Sequence, residues 1–283
     1  MRRTVLIITA LQCEAAPLIS AWQLKPLREN SLGERFQVFS DGETSVAVSG
    51  VGKIRAAIAT SVLLSALLAE EVSPIVMNIG IAGSSTRDLA IGSLVYVNKV
   101  RDVATNSRLY PDVLLAHGLP EAMLETHDAP VTTPPSSPLL VDMEGAGFLQ
   151  AALTLISPSQ TCILKVVSDY CTNYHITPVE AQELISSNIS VVTDIVTGLR
   201  NELPEPARMT EQGRALLESV CLHAGLTLAQ RIELGKVLRS LQAQGICFEA
   251  PLKTILSTSV ATKDVRNRAY HSLLRELRAE VSL

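Results

Sequence analysis

Apolar and polar positions along residues 1–203 fall into blocks that switch between the period of a strand and the period of a helix. Val5–Thr9 is a continuous apolar run that predicts a buried strand, and Glu14–Ala21 predicts the helix after it. Phe36–Ser40 and Ser45–Ser49 predict a hairpin turning at Asp41-Gly42. Gly50-Val51-Gly52-Lys53 predicts a tight loop, followed by a long Ala- and Leu-rich helix over Ile54–Glu70. Ile75–Ile79, Leu94–Val100 and Cys162–Val167 are further apolar runs, of the kind that a parallel sheet covered on both faces requires. Pro178–Leu199 carries apolar residues at helical spacing and predicts one long helix. Between 101 and 140, Pro111, Pro120, Pro130, Pro134, Pro135 and Pro138 predict loops, with a short helix near 120 and a strand over Met123–Thr126. The alternation predicts an α/β fold: a mostly parallel or mixed central sheet with helices on both faces.

The pattern changes after Leu203-Pro204-Glu205-Pro206, which reads as a linker. Beyond it there is no strand alternation. Helices are expected over Thr210–His223, Leu228–Gln244, Ala250–Ser257 and Lys263–Glu280, with Thr210 and Thr227 as caps and Gly225 and Gly245 as stops. Two domains follow, 1–203 and a small all-α appendage over 207–283. The appendage carries no motif that assigns it a role. It is open as a partner-binding module, a dimerisation element, or a lid or brace on the first domain.

Composition narrows the class. With 47% hydrophobic and 18% charged residues the chain is too apolar for disorder, and 4% aromatics leave Leu, Ile, Val and Ala to build the core. The net charge of −4, without a Lys/Arg block, lacks the footprint of a nucleic-acid binder. Five cysteines without a CxxC pair suit free thiols in a reducing cytoplasm better than a disulfide framework. The apolar run after Arg2-Arg3-Thr4 is too short for a signal peptide. Ile58–Ala69, interrupted by Thr60, Ser61 and Ser65, is too short to span a bilayer. A cytoplasmic protein with no membrane segment is expected. The histidines show no metal-ligand spacing, so no metal is expected, and GxGxxG, GxxxxGK[ST] and GxSxG are all absent from the sequence.

Five segments are expected at strand ends: Glu14, Ser49-Gly50-Val51-Gly52, Gly80-Ile81-Ala82-Gly83, Met143-Glu144 and Ser168-Asp169. Each has a plain reading by itself. A glutamate at a helix start offsets the helix dipole, and an aspartate after a strand caps a helix. Ligands of open α/β sheets, however, bind outside the carboxyl ends of the strands. Gathered on one sheet edge, the segments form a pocket with three carboxylates and two glycine loops, a small-molecule site.

The order Ala10-Leu11-Gln12-Cys13-Glu14, Ser49-Gly50-Val51-Gly52-Lys53, Asn78-Ile79-Gly80-Ile81-Ala82-Gly83, Val141-Asp142-Met143-Glu144 and Val167-Ser168-Asp169 resembles the nucleoside phosphorylase/nucleosidase family. The branch it looks most like is the methylthioadenosine/S-adenosylhomocysteine nucleosidases. The resemblance implies cleavage of the N-glycosidic bond of a purine nucleoside or nucleoside-like conjugate by a homodimer. Asp169 would protonate the leaving purine, Glu144 would bind the ribose hydroxyls with Met143 against the sugar, and Glu14 would activate the attacking water. Ser168, Ala82, Gly83 and Gly50 would complete the substrate-binding set. Such a cleavage passes through an oxocarbenium-like state, which needs an acid for the leaving group and negative charge near the sugar.

Asn78 stands where phosphorylases of the hexameric branch have an arginine, and with Glu14 it favours hydrolysis. A phosphate-dependent nucleoside phosphorylase is the second reading; no cofactor is implied, and phosphate would enter only as its co-substrate. Arg55 and Arg87 are the candidate anion ligands. Two departures support a third reading, a binding or scaffold protein acting through its helical tail. Ile81 replaces a Ser or Thr of the family. The segment between Val100 and Val141 is shorter than the family's, which supplies an aromatic wall for the base; Glu125-Thr126-His127-Asp128-Ala129-Pro130 is its remnant. Tyr170, Tyr174 or a residue of the tail could replace the wall, and His127 could contact a sugar hydroxyl or be a plain loop histidine.

Overall fold

One long strand organises the first part of the molecule. The computed structural model describes residues 4–27, 36–69, 74–137, 139–172, 176–202 and 209–281. The chain divides into two units, Met1–Leu203 and Pro204–Leu283. In chain order the first unit contains β1 (Val5–Thr9), α1 (Gln12–Ala21), β2 (Lys25–Pro26), β3 (Gln37–Ser40), β4 (Thr44–Val48), α2 (Lys53–Ala69) and β5 (Ile75–Ser84). It continues with β6 (Leu94–Asp102), β7 (Arg108–Leu109), β8 (Glu121–Thr126), β9 (Leu140–Asp142), α3 (Gly145–Leu155), β10 (Thr161–Asp169), α4 (Pro178–Ser186) and α5 (Ile189–Glu202).

β5 is the shared strand. On one side it runs parallel to β1, which is parallel to β4; β3 and then β2 extend that flank antiparallel. On the other side β5 runs parallel to β10, and its last residues, Gly83 and Ser84, pair antiparallel with β9. β10 is antiparallel to β6, β6 parallel to β8, and β8 parallel to β9. Strands β5, β10, β6, β8 and β9 therefore close on themselves, with β1, β4, β3 and β2 as an open wing and β7 paired antiparallel on β6.

The apolar runs explain the layers. Alternate residues of β1 enter different cores. Leu6 and Ile8 pack with Ala56, Leu63 and Leu64 of α2 and Phe148 and Leu149 of α3. Val5 and Ile7 pack with Leu18 of α1 and Val192, Ile195 and Leu199 of α5. Helices thus cover both faces, as the lack of polar alternation in these strands demands.

Three expectations are corrected. Gly80–Gly83 is not a loop but the second half of β5, where the glycines make room: a Cβ on Gly80 would stand 2.7 Å from Glu14 Oε1, and one on Gly83 would stand 2.9 Å from Cys171 Sγ. The segment near 120 is strand β8, not a helix, because it pairs with β6 from Tyr96↔Glu121 onward. Pro178–Leu199 is two helices, parted at Ser187-Asn188, where Asn188 Nδ2 donates to the carbonyls of Leu184 and Gly92. The apolar run ending at Asp169 is parallel to β5, as expected, and antiparallel to β6, so of the two expected forms the sheet is the mixed one.

The second unit is α6 (Glu211–His223), α7 (Leu228–Ala243), α8 (Glu249–Ser257) and α9 (Lys263–Val281). Thr210 Oγ1 accepts from the Gly213 N–H and Thr227 Oγ1 from the Gln230 N–H, while Gly225 and Gly245 take left-handed φ angles of 56° and 70°. Leu234, Leu238, Leu241, Leu252 and Leu277 form its core. The Leu203–Pro206 linker lies outside the described residues. Among the described residues, no helix is long and apolar enough to cross a membrane and no group of side chains could hold a metal ion.

Candidate active site

A cavity of about 280 Å³ opens where β1, β5, β9 and β10 end. Four carboxylates line it: Glu14, Asp142, Glu144 and Asp169. Ala82, Gly83, Met143 and Ser168 lie between them, and Ala129–Thr132 forms one wall. Among the described residues no Lys, Arg or His lines the cavity.

Glu14 lies in the first turn of α1 and is 3% exposed. Its Oε2 accepts the N–H groups of Ala10 and Leu11, both at 2.9 Å, and its Oε1 accepts the N–H of Ile81 at 3.0 Å. Burial pushes the carboxyl above the usual glutamate range, and nearby Lys165 and these three donors only partly oppose it. Ile81 thus has a role through its backbone, although its side chain offers no hydroxyl.

Glu144 is the N-cap of α3 but caps nothing with its side chain. Instead, Oε1 accepts the N–H of Gly52 at 2.7 Å, so the helix start and the Gly50-Val51-Gly52 loop are tied together. Burial raises this carboxyl too, against the pull of Lys165 and with the push of Asp142.

The residue that unites the carboxylates is Lys165, in the middle of β10 and 2% exposed. Its Nζ stands 2.9 Å from Asp142 Oδ2. Burial alone would lower its pKa, but Asp142, Glu144 and Glu14 together hold it above the ordinary lysine value. Asp142 is itself fixed, accepting from Thr126 Oγ1 at 2.7 Å and from the Gly145 N–H at 2.8 Å. A lysine inside the otherwise apolar stretch Cys162–Val167 is a signal visible in the sequence, as is Asp142 beside Met143-Glu144. Sequence reasoning assigned neither a role.

Asp169 ends β10. Ser168 Oγ donates to its Oδ2 and the Cys171 N–H to its Oδ1, both at 2.7 Å. Cys171 adopts a left-handed φ of 54° to deliver that N–H.

The cavity therefore gathers Asp169, Glu14, Glu144, Met143, Ser168, Gly83 and Ala82, but not Gly50. Gly50 is covered by Arg55, whose Nη1 would stand 2.9 Å from a Cβ placed there, and its neighbour Val51 faces the cavity instead. Asn78 does not reach the cavity; its Nδ2 donates to the Ile8 carbonyl within the sheet. Arg87 stacks on Tyr170, 4.8 Å from the ring centre, and neither lines the cavity. His127 stands 3.5 Å from Glu125, away from the cavity lining. Tyr174 lies outside the described residues. Among the described residues no aromatic side chain lines the cavity; Ala129, Pro130, Val131 and Thr132 line one side of it.

Residues 4–138 match the model of the Phosphorylase superfamily. No curated protein matches the sequence. Among solved structures, the chain is similar to the 5′-methylthioadenosine nucleosidase of Arabidopsis thaliana in its apo form (TM-score 0.59, 18% identity, 71% of this chain and 98% of that one). It is also similar to the 5′-methylthioadenosine/S-adenosylhomocysteine nucleosidase of Colwellia psychrerythraea in complex with adenine (TM-score 0.57, 21% identity, 72% and 98% covered). A third is the futalosine hydrolase of Helicobacter pylori (TM-score 0.52, 18% identity, 72% and 99% covered). At these identities the likeness establishes the fold, and with the family model it bears out the resemblance carried by the motifs.

Proposed function

Starting from an α/β unit of the Phosphorylase superfamily, we propose that this protein hydrolyses the N-glycosidic bond of a purine nucleoside or nucleoside-like conjugate. The observation that carries the reading is a lining of four carboxylates with no cation among the described residues, near one lysine already matched by three of those carboxylates. An oxocarbenium-like sugar is stabilised by such negative charge. A phosphate nucleophile entering the same space would be repelled, and strongly so in a site this buried. Water is therefore the nucleophile.

The roles follow from position. Ionised Glu14 takes a proton from the water as its oxygen bonds to the anomeric carbon. The carbon–nitrogen bond breaks, its electron pair goes to the purine, and Asp169 delivers a proton to the imidazole nitrogen of the leaving base. Glu144 accepts hydrogen bonds from the ribose hydroxyls, with Met143 packed on the sugar. Leu11, Val51 and Ile176 are the apolar lining available to a substituent at the 5′ position. The similar structures, nucleosidases of methylthioadenosine and S-adenosylhomocysteine and a futalosine hydrolase, support the same reading.

The unit works as a homodimer in this reading. Val51, Ile54 and Ile58 present an exposed apolar face at the start of α2, beside the cavity mouth, which a second copy would cover. Free cysteines fit a reducing, cytoplasmic setting.

The deciding experiment is base release by chromatography from methylthioadenosine, adenosylhomocysteine, inosine and adenosine, each with and without phosphate. Release that does not depend on phosphate is expected. Strict phosphate dependence would replace hydrolysis by phosphorolysis, and no release from any nucleoside would end the enzymatic reading.

A further inference from the structure

Lys53 belongs to the Ser-Gly-Val-Gly-Lys segment, yet it does not line the cavity and takes no part in the chemistry above. Its ammonium lies between two aspartates from different places, 2.9 Å from Asp102 Oδ1 at the end of β6 and 3.0 Å from Asp128 Oδ1. Asp102 is a fixed point, since its carboxylate also accepts from the Ala104 N–H and from Thr105 Oγ1. Asp128 is different. It begins the segment that makes the cavity wall. Among the described residues, Asp128 to Ser136 make no hydrogen bond or ion pair other than this contact with Lys53. Apart from it, the wall is held by apolar packing of Val131 on the cluster of Leu139, Val141 and Cys171.

The other end of the tie is rigid. The Lys53 carbonyl is pressed against Gly147 of α3 so closely that a Cβ there would stand 1.9 Å from the carbonyl oxygen. The residue before it, Gly52, donates its N–H to Glu144. One side chain therefore connects the loop that holds Glu144 with the segment that lines the cavity.

We propose that Lys53 is a positioning residue, which clasps Asp128 and thereby holds the Ala129–Thr132 wall against the base. The wall is assigned to the base because it lines the same cavity as Asp169, and that assignment rests on the role given to Asp169 under Proposed function; the clasp itself does not. The Asp128 side chain is 63% exposed and that of Lys53 is 19% exposed, so added salt weakens the tie. With the wall loose, substrate loses a surface it binds in the ground state and the transition state alike. The loss then appears in KM and not in kcat.

The test uses the full chain and Lys53→Met, Asp128→Asn and the double variant. Native proteins without nucleoside are digested with proteinase K, and the first cuts are mapped by mass spectrometry. Cutting between 128 and 137 is expected to quicken at least fivefold in each variant, by no more in the double, with other sites unchanged. Unchanged cutting overturns the clasp. Asp128→Asn alters only an exposed loop side chain and keeps the test open should Lys53→Met fail to fold. For whichever nucleoside is hydrolysed, KM is expected to rise about five- to tenfold with kcat within about twofold, and molar salt to raise the wild-type KM but not that of the variants. A fall in kcat at constant KM overturns the positioning role. If wild type releases no base, the functional reading fails while proteolysis still decides the clasp, and the relative affinity of wild type and Asp128→Asn for free adenine decides whether the wall faces a base.

Discussion

The two units of this chain differ most in what they bury. Every buried polar or charged residue among those described lies in the first unit, including Glu14, Asp142, Glu144 and Lys165. The core of the second unit is apolar; its one large polar-tipped side chain, Tyr270, places its hydroxyl on Glu233 Oε2 at 2.7 Å and the Gln230 carbonyl at 3.1 Å. Burying a charge is expensive, and replacing buried ion pairs by apolar residues often stabilises a protein. On the proposed function, a fold that buries three carboxylates at one cavity, with a lysine paired to them outside its lining, keeps them for chemistry. Among the described residues the helical unit carries no interior constellation of this kind.

The sharpest break of the comparison is chemical. Asp169→Asn keeps the shape but has no proton to give. Turnover is expected to fall about 10²–10⁴-fold, the usual worth of a positioned general acid, with unfolding unchanged. Retained turnover in a base-release assay would remove Asp169 from its role.

Next comes stability. Lys165→Met strands three carboxylates without their cation, which is expected to cost about 3–5 kcal/mol. Trp22, the chain's single tryptophan, reports on the first unit alone: it sits just past α1, and its Nε1 donates to Thr193 of α5 at 3.0 Å. The urea midpoint followed by Trp22 fluorescence should drop, while the part of the circular dichroism transition due to the helical unit stays in place. An unshifted Trp22 transition would mean that the lysine is not holding the cluster together.

The same contrast explains what was legible in the sequence. The helical unit was readable nearly to the residue, because its helices are set by local signals, the Thr210 and Thr227 caps and the Gly225 and Gly245 stops. The strands that lead to Glu14 and Asp169, β1 and β10, were readable for a similar reason, as continuous apolar runs. What escaped depends on contacts distant in sequence. Gly80–Gly83 looks like a loop because glycine is a local breaker, and only Glu14 and Cys171, brought from elsewhere, show why a strand needs glycine there. The three-residue β9 carries too little pattern to predict, yet it closes the ring of strands. Lys165 passed as part of a motif because its three partners lie on other elements.

A smaller perturbation reverses the direction of the test. Leu241→Ala removes a fully buried side chain from the helical core and is expected to cost about 2–4 kcal/mol. Only the helical part of the dichroism transition should move, with base release and Trp22 fluorescence unchanged. A shift of Trp22 with it would show that the two units unfold as one.

The smallest effect is one of sign. In the first unit, burial holds Glu144 above the usual glutamate range. The folded state then binds the proton more tightly than the unfolded chain does. Its contribution to stability is complete below the ordinary glutamate value and is lost as pH rises through the raised one. In the second unit, Glu233 runs the other way. The Tyr270 hydroxyl, with Arg278 2.7 Å from the other carboxylate oxygen, holds it below the usual range. Its contribution is present above the ordinary value and is lost as pH falls through the lowered one. Comparing wild type with Glu144→Gln by Trp22 fluorescence, and with Glu233→Gln by dichroism, cancels the other titrating groups. From neutral pH down to about pH 4, wild type should gain on Glu144→Gln and lose ground to Glu233→Gln. If both differences moved in the same direction, burial would not be what sets Glu144 apart, and the distinction between a unit that buries charge and one that keeps it at the surface would fail at its most direct electrostatic test.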